Sequence, residues 1–230
     1  MAHLVSVMGV SGSGKSSSLL PNPDLNIQGL IPEETLIINI AGKPLPARGS
    51  NRLYPLGIKI SEGGRHIHAS KPDQLVQVIQ YVNQNRPEIK NIVLDDMGYI
   101  MGFDVMENAL KKGYDKWTAT AVSFMNVINA LKACRSDLYA FCIFHTELGK
   151  DEKTKIKTSG AMIDNNIYLD GLFTVNLEAS LTKIDGETKF GFYTKPDAYS
   201  TRKSPAGMFE EDYIPNDLGY VKNKIEEYYN

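Results

Sequence analysis

Short, continuous apolar runs recur along the chain, and the segments between them carry apolar residues at helical spacing. Four such runs, at residues 3–8, 35–40, 91–94 and 138–144, are typical of strands buried on both faces. Buried strands that alternate with helical segments favour a mainly parallel sheet flanked by helices, because parallel neighbours need crossover connections. We therefore expect an α/β fold.

Three amphipathic segments predict the longer helices of this fold. The first follows a capping-box sequence at residues 70–73, and the second extends from Trp117 to Leu131. The third begins after Asn216, which is expected to cap it, and continues to Tyr228.

An antiparallel hairpin is expected near the C-terminal end. Residues 173–184 and 188–194 flank Asp185-Gly186, a dipeptide that favours a two-residue hairpin turn. The chain has 230 residues, which suits a single domain over residues 1–230. The pattern shows no internal repeat that would change this interpretation.

Composition narrows the class of protein only a little. Hydrophobic residues make up 42% and charged residues 23% of the chain, as in ordinary soluble proteins, and the net charge of −2 gives no overall basic field. Cys134 and Cys142 do not have zinc-ligand spacing, so we expect packed thiols. No apolar run reaches the ~18 residues of a membrane span, and no secretory signal is visible, so we expect a cytoplasmic protein without membrane contact.

The loop after the first strand carries the most specific motif. Its sequence matches the pattern G-x-x-x-x-G-K-[ST] over Gly9, Val10, Ser11, Gly12, Ser13, Gly14, Lys15 and Ser16, with Ser17 adjoining. Glycines let successive N–H groups face phosphate oxygens, Lys15 reaches the β- and γ-phosphates, and the Ser16 hydroxyl ligates Mg²⁺. We expect ATP and Mg²⁺ as ligands. The helix that starts at Lys15 should last about two turns, because prolines follow it.

Acidic residues end the strand at 91–94, where an ATPase needs a metal carboxylate. Asp95 is the candidate that holds Mg²⁺ through water, and Asp96 is the candidate base that orients or deprotonates the attacking water. Asp96 could instead merely cap the next segment. The fourth strand ends in His145-Thr146-Glu147, and ligands lie beyond the carboxyl ends of parallel strands. His145 is therefore a candidate γ-phosphate sensor, and Glu147 is the next candidate for the base.

Taken together, the segments GVSGSGKS, NIVLDD and CIFHTE and the tail at residues 194–221 resemble phage-encoded short RecA-like ATPases. These belong to the AAA-type ATP-binding proteins, and some are Sak-type single-strand annealing recombinases. The resemblance extends over residues 3–229 and supports Lys15, Ser16, Asp95 and His145 in their roles. It implies a RecA-like core, self-assembly into a ring or filament, and single-stranded DNA as a partner. A single-strand-binding protein is a further candidate partner, and a phage origin would place the protein in the host cytoplasm.

The segment 150–160 carries four lysines that could contact DNA phosphates, namely Lys150, Lys153, Lys155 and Lys157. The alternative is a solvated loop, since Asp151 and Glu152 dilute its charge. Arg202 and Lys203 are candidates for a cation that acts on the γ-phosphate of a neighbouring subunit, with ordinary surface charge as the alternative.

Three function classes remain open. The first is a DNA-dependent ATPase in phage recombination or replication. The second is a small-molecule or nucleotide kinase, which the lack of an arginine-rich lid disfavours. The third is an ATP-binding regulatory or assembly module with weak turnover.

Overall fold

The computed structural model describes residues 1–110, 115–159, 163, 166–184 and 186–230. Its strands are β1 (His3–Gly9), β2 (Thr35–Asn39), β3 (His66–His68), β4 (Asn91–Asp95), β5 (Tyr139–Leu148), β6 (Thr154–Ile156), β7 (Val175–Ile184), β8 (Glu187–Tyr193) and β9 (Tyr213–Pro215). Its α-helices are α1 (Ser50–Leu53), α2 (Pro72–Asn85), α3 (Tyr99–Glu107), α4 (Asp115–Lys132) and α5 (Leu218–Tyr229).

The strands form one mixed sheet in the order β3-β2-β4-β5-β1-β7-β8-β9. From β3 to β7 all neighbours are parallel, whereas β8 and β9 continue the sheet antiparallel and β6 folds back on the end of β5. The mainly parallel sheet and the C-terminal antiparallel hairpin are both confirmed. Asp185, at the predicted hairpin turn, lies outside the described residues.

Apolar side chains of the central strands alternate between two cores. In β5, Ala140, Cys142 and Phe144 face one core, which α2, α3 and α4 cover. Phe141 and Ile143 face the other, to which α5 contributes its buried residues. Both faces of the sheet are therefore covered, which explains why the central strands are continuously apolar.

Parallel pairing brings the carboxyl ends of the central strands to one edge. Gly9 at the end of β1 is opposite His145 in β5, and Asn39 at the end of β2 is opposite Asp95 in β4. Because β5 lies between β1 and β4, the first and third predicted strands are separated by one strand. No helix in the described part of the chain has the length and apolar character that crossing a membrane requires.

Three details of the predicted helices are wrong. The predicted two-turn helix after the loop is a 3-10 helix at Ser16–Leu19, which Leu20 ends in an extended conformation. Helix α2 begins after Lys71 without a side-chain cap, so the capping-box prediction fails. Helix α5 is capped by Asp217 rather than Asn216.

Candidate functional site

The loop between β1 and the 3-10 helix has the geometry that its sequence predicts. Gly12 and Gly14 have φ angles of +79° and +89°, in the left-handed region that favours glycine. A Cβ atom at Gly9 would lie 2.6 Å from the Ser13 hydroxyl and 2.8 Å from the Ala179 carbonyl oxygen. A side chain at Gly9 would clash in this turn. Because glycine has none, the backbone can approach a phosphate group closely.

Lys15 lies inside this loop and is only 5% exposed. Its Nζ donates to the carbonyl oxygens of Gly9 at 2.8 Å and Val10 at 2.7 Å. Burial lowers the pKa of Lys15 to about 8, although the charges of Asp96 and Asp95 oppose this shift. The ammonium group therefore remains largely protonated at neutral pH and gives the loop a buried positive charge.

Ser16 and Asp95 form the oxygen pair expected of a metal site. The Ser16 hydroxyl donates to Asp95 Oδ1 at 2.8 Å, although the two residues are 79 positions apart in the chain. Burial and then the charge of Asp96 raise the pKa of Asp95 to about 6, while the Ser16 hydrogen bond opposes the rise. A hydroxyl and a crowded carboxylate fit Mg²⁺, which prefers oxygen ligands and would offset the clustered negative charge.

Asp96 is buried, at 2% exposure, and its backbone is left-handed with a φ of +64°. Its Oδ1 lies 3.3 Å from Nε2 of His145, and its Oδ2 forms an ion pair with Nζ of Lys43. Burial, followed by the charge of Lys15, lowers the pKa of His145, which favours the neutral ring. The carboxylate of Asp96 contacts the side chains of Lys43 and His145, so Asp96 is not simply a cap for the next segment.

Lys43 is a site residue that the sequence interpretation missed. It follows β2, where the Asn39 side chain accepts from Gly42 N–H and donates to the Lys43 carbonyl, so the end of the strand holds this loop. Burial lowers the pKa of Lys43, but the hydrogen bond and charge of Asp96 outweigh burial and raise the pKa overall. Its place after a predicted buried strand was the available signal, since all carboxyl ends of parallel strands meet at one edge.

A cavity of about 270 Å³ joins these parts. Its lining is formed by Ser11, Gly12, Ser13, Gly14, Lys15, Ser16, Ser17, Lys43, Pro44, Pro46, Asp95, Asp96, His145 and Phe190. Two lysines and two aspartates from three separate parts of the chain thus face the same space. This arrangement can bind a polyphosphate together with a divalent cation.

A second cavity, of about 400 Å³, adjoins the first at His145. Its wall includes Val10, Tyr99 and Lys157, and the Lys157 N–H donates to the His145 carbonyl at 2.8 Å. The ring of Tyr99 stacks on Phe103 with centroids 5.5 Å apart, and both rings are 41% exposed. Tyr99, which carries Phe103 stacked on it, and Lys157 are therefore next to the candidate phosphate site.

The other predicted acidic residue does not reach this site. Glu147 forms an ion pair with Lys155 at 3.2 Å across the β5–β6 pairing, and it is not part of the wall of the 270 Å³ cavity. The geometry therefore does not support Glu147 as the base.

Of the predicted DNA-contact lysines other than Lys155, Lys150 and Lys157 are exposed and Lys153 is half-buried. Gly160, at the end of that segment, lies outside the described residues.

Arg202 is committed to contacts within its own chain, which argues against its predicted role in a neighbouring subunit. Its guanidinium contacts Glu178 at 2.8 Å, pairs with Asp197, and lies 4.5 Å from the ring centroid of Tyr193. The two carboxylates already neutralise this cation. Lys203 pairs its backbone with Asn176, and its half-buried side chain remains a candidate.

Comparisons with known proteins do not assign this chain to a family. No protein-family model and no curated protein matches the sequence. Among solved structures, the chain is similar to a KaiC-like protein from the hyperthermophilic archaeon Pyrococcus horikoshii, with 13% identity and a TM-score of 0.45. The match covers 83% of this chain and 76% of that one. A similarity this distant does not identify a function.

Proposed function

We propose that the protein is a Mg²⁺-dependent P-loop ATPase that hydrolyses ATP to ADP and phosphate. One observation carries this proposal: the Ser16–Asp95 pair lies beside a complete phosphate-binding loop in one cavity. A cradle for the phosphates and a hydroxyl–carboxylate pair for the metal are the parts that this class of hydrolysis requires together. The test is ATP turnover with and without Mg²⁺.

The loop and Lys15 bind the phosphates in this proposal. The glycine conformations let backbone N–H groups face phosphate oxygens, and Lys15 exchanges its two carbonyl partners for the more negative phosphate. Ser16 and Asp95 would hold Mg²⁺, which when bound neutralises charge on the β- and γ-phosphates.

Asp96 acts as the base in this mechanism. Its carboxylate accepts a proton from the water whose oxygen bonds to the γ-phosphorus, while the bond from that phosphorus to the β–γ bridging oxygen breaks. ADP leaves with the bridging oxygen, and the phosphate keeps the water oxygen. His145, 3.3 Å from Asp96, orients the carboxylate and lies in the same cavity wall.

Lys43 gives the site a second cation within the same chain. It neutralises Asp96, but a triphosphate in this cavity offers it a more highly charged partner. We propose that Lys43 then moves to the γ-phosphate, which leaves Asp96 free to accept a proton. A cation on the transferred phosphoryl group stabilises the charge that spreads over its oxygens in the transition state.

We further propose that hydrolysis is coupled to single-stranded DNA in phage recombination or replication. The resemblance of the motifs implies this partner. Support comes from the second cavity, where Tyr99, with Phe103 stacked on it, offers an exposed aromatic group for bases and Lys157 offers a charge for a backbone phosphate. His145 borders both cavities, so DNA bound there would lie beside the catalytic wall.

The test of coupling is ATP turnover with and without single-stranded DNA at two salt concentrations. DNA should stimulate turnover at low salt and less at high salt, and Phe103→Ala should weaken the stimulation. Tyr168→Ala is the matched control, because that side chain is 90% exposed but neither lines the two cavities nor stacks on Tyr99. Stimulation that persists unchanged in Phe103→Ala would contradict this DNA site.

A slow regulatory or assembly module is the second candidate. The Asp96–Lys43 ion pair favours it, because this pair must break before the carboxylate can act. Slow turnover that DNA leaves unchanged, together with ATP-dependent binding of a protein, would support this alternative. Transfer of phosphate to an added nucleoside or sugar would instead indicate a kinase.

Self-assembly into a ring or filament and contact with a single-strand-binding protein complete the proposal. Exposed apolar side chains at Met106, Leu110 and Val122 support an interface on the α3–α4 side. Light scattering with and without ATP and DNA tests assembly, and a monomer under all conditions would contradict it. If Lys203 acts in a neighbouring subunit, mixing Lys15→Ala with Lys203→Ala should restore some turnover.

A further inference from the structure

A third cavity, of about 510 Å³, lies on the β8 side of the phosphate-binding loop. The turn at residues 23–27, the first half of β8 and residues 215–217 form its walls. Phe190 borders this cavity and the 270 Å³ cavity. The third cavity therefore adjoins, at Phe190, the space that we assign to the phosphates.

Asn216 borders this cavity and has an unpaired hydrogen-bond acceptor. The residue is 4% exposed, and its Nδ2 donates to the Gly14 carbonyl at 3.0 Å. Its Oδ1 is buried without a hydrogen-bond partner. Buried side-chain oxygens are rarely left unpaired, because the loss of water is then uncompensated. A ligand that donates a hydrogen bond would satisfy this atom.

The neighbouring Asp217 has no such capacity. Its carboxylate accepts from the backbone N–H groups of Gln28, Gly29, Gly219 and Tyr220. These four bonds fix the turn to the start of α5. Asp217 is therefore structural, and the recognition capacity of this wall lies with Asn216.

Phe190 and Asn216 both adjoin the loop backbone. A Cβ atom at Gly14 would lie 2.7 Å from Cδ1 of Phe190 and 2.9 Å from Nδ2 of Asn216. The base of a nucleotide is joined to its phosphates through the ribose, so it must lie close to the loop that binds them. An aromatic ring and an amide oxygen at this point suit a planar base that carries an amino group.

We infer that the third cavity receives the nucleobase, that Phe190 stacks on it, and that Asn216 Oδ1 selects a 6-aminopurine by accepting from its amino group. The inference rests on the proposed function, because it needs a nucleotide in the phosphate cavity. A 6-oxopurine would bring a carbonyl oxygen against Oδ1 and leave both acceptors unpaired. Unpaired polar groups of this kind discriminate between ligands by about tenfold or more.

Competition binding with ATP, inosine triphosphate and inorganic tripolyphosphate tests this inference. The two nucleotides differ at the 6-amino group, and tripolyphosphate reports the phosphate cavity alone. Wild-type protein should bind ATP at least about tenfold more tightly than inosine triphosphate. Asn216→Ala should bring that ratio close to one. Asn91→Ala is the matched control, since Asn91 is also buried with an unpaired Oδ1 but lies at the start of β4.

An ATP analogue with two methyl groups on the 6-amino nitrogen gives a test without a variant. The methyl groups remove the donor hydrogens, so wild-type protein should bind it about tenfold more weakly than ATP. Equal binding of ATP, inosine triphosphate and the dimethyl analogue would overturn base selection. If tripolyphosphate still bound, the proposed phosphate site would stand. If neither tripolyphosphate nor any nucleotide bound, the proposed function and this inference would fail together.

Discussion

Replacement of Lys43 by methionine tests the second cation of the proposed mechanism. Methionine keeps much of the length of the side chain and removes the charge that pairs with Asp96. If Lys43 contacts the transferred phosphoryl group, turnover should fall while ATP still binds. If Lys43 only restrains Asp96, the variant should hydrolyse ATP as fast as wild type or faster, because its base is released.

The environment of Lys43 sets the expected changes in unfolding free energy and in kcat. Asp96 is 2% exposed and Lys43 is 56% exposed, so the pair is intermediate between a buried and a surface ion pair. Surface pairs contribute about 0–1 kcal/mol, and loss of a partner from a fully buried pair costs about 3–5 kcal/mol. Because solvent screens Lys43 and His145 still contacts Asp96, we expect the unfolding free energy to fall by about 1 kcal/mol. Loss of the phosphoryl contact should lower kcat by about 10²- to 10³-fold.

The assay measures kcat, nucleotide affinity and urea unfolding for wild-type protein, Lys43→Met and Lys59→Met. Lys59→Met is the control, since Lys59 is 76% exposed and contacts Glu62 rather than the site. We expect Lys43→Met to be folded at 25 °C, because domains have about 5–15 kcal/mol of stability. An unchanged or increased kcat in a folded Lys43→Met would refute the role of this cation.

Lys15→Ala should keep the fold and lose nucleotide binding, because its ammonium contacts only loop carbonyls; calorimetric titration showing wild-type ATP affinity would contradict this. Asp95→Asn should raise the Mg²⁺ concentration needed for half-maximal turnover by about tenfold, and unchanged Mg²⁺ dependence would remove Asp95 from the metal site. Asp96→Asn should bind ATP normally and hydrolyse it more slowly; equal rates would place the base elsewhere. Arg202→Ala should lower the unfolding free energy by about 2–3 kcal/mol, since it leaves partly buried Glu178 without its cation, and urea unfolding that matches wild type would count against this structural role.

The phosphate loop and the strands could be predicted because their signals are local. Gly9 to Ser16 is one contiguous motif, and the continuous apolar runs of β1, β4 and β5 indicate buried strands directly. The positions of Asp95 and His145 followed from one rule, that the carboxyl ends of parallel strands meet at one edge. The same rule applied to β2 would have indicated Lys43.

Contacts between distant segments account for what the sequence did not reveal. Asn216 was predicted to cap α5, but asparagine and aspartate are equally good caps, so the pattern could not choose between it and Asp217. The fold decides, because Asn216 binds Gly14, which is 202 positions away. Arg202 likewise looked available in the sequence, although Glu178 neutralises it from β7.

Strand order gives a physical reason to expect nucleotide and DNA to influence each other. Because β5 lies between β1 and β4, His145 is opposite Gly9 at the end of β1 and contacts Asp96 just after β4. The same residue borders the second cavity, and its carbonyl accepts from Lys157. A shift of His145 on hydrolysis would move a wall of the proposed DNA site, and DNA bound there would bias His145 in return, since coupling between two sites is reciprocal. His145→Ala should therefore reduce DNA stimulation more than ATP affinity. If His145 only sensed the phosphate, the variant would lose DNA stimulation and ATP affinity together.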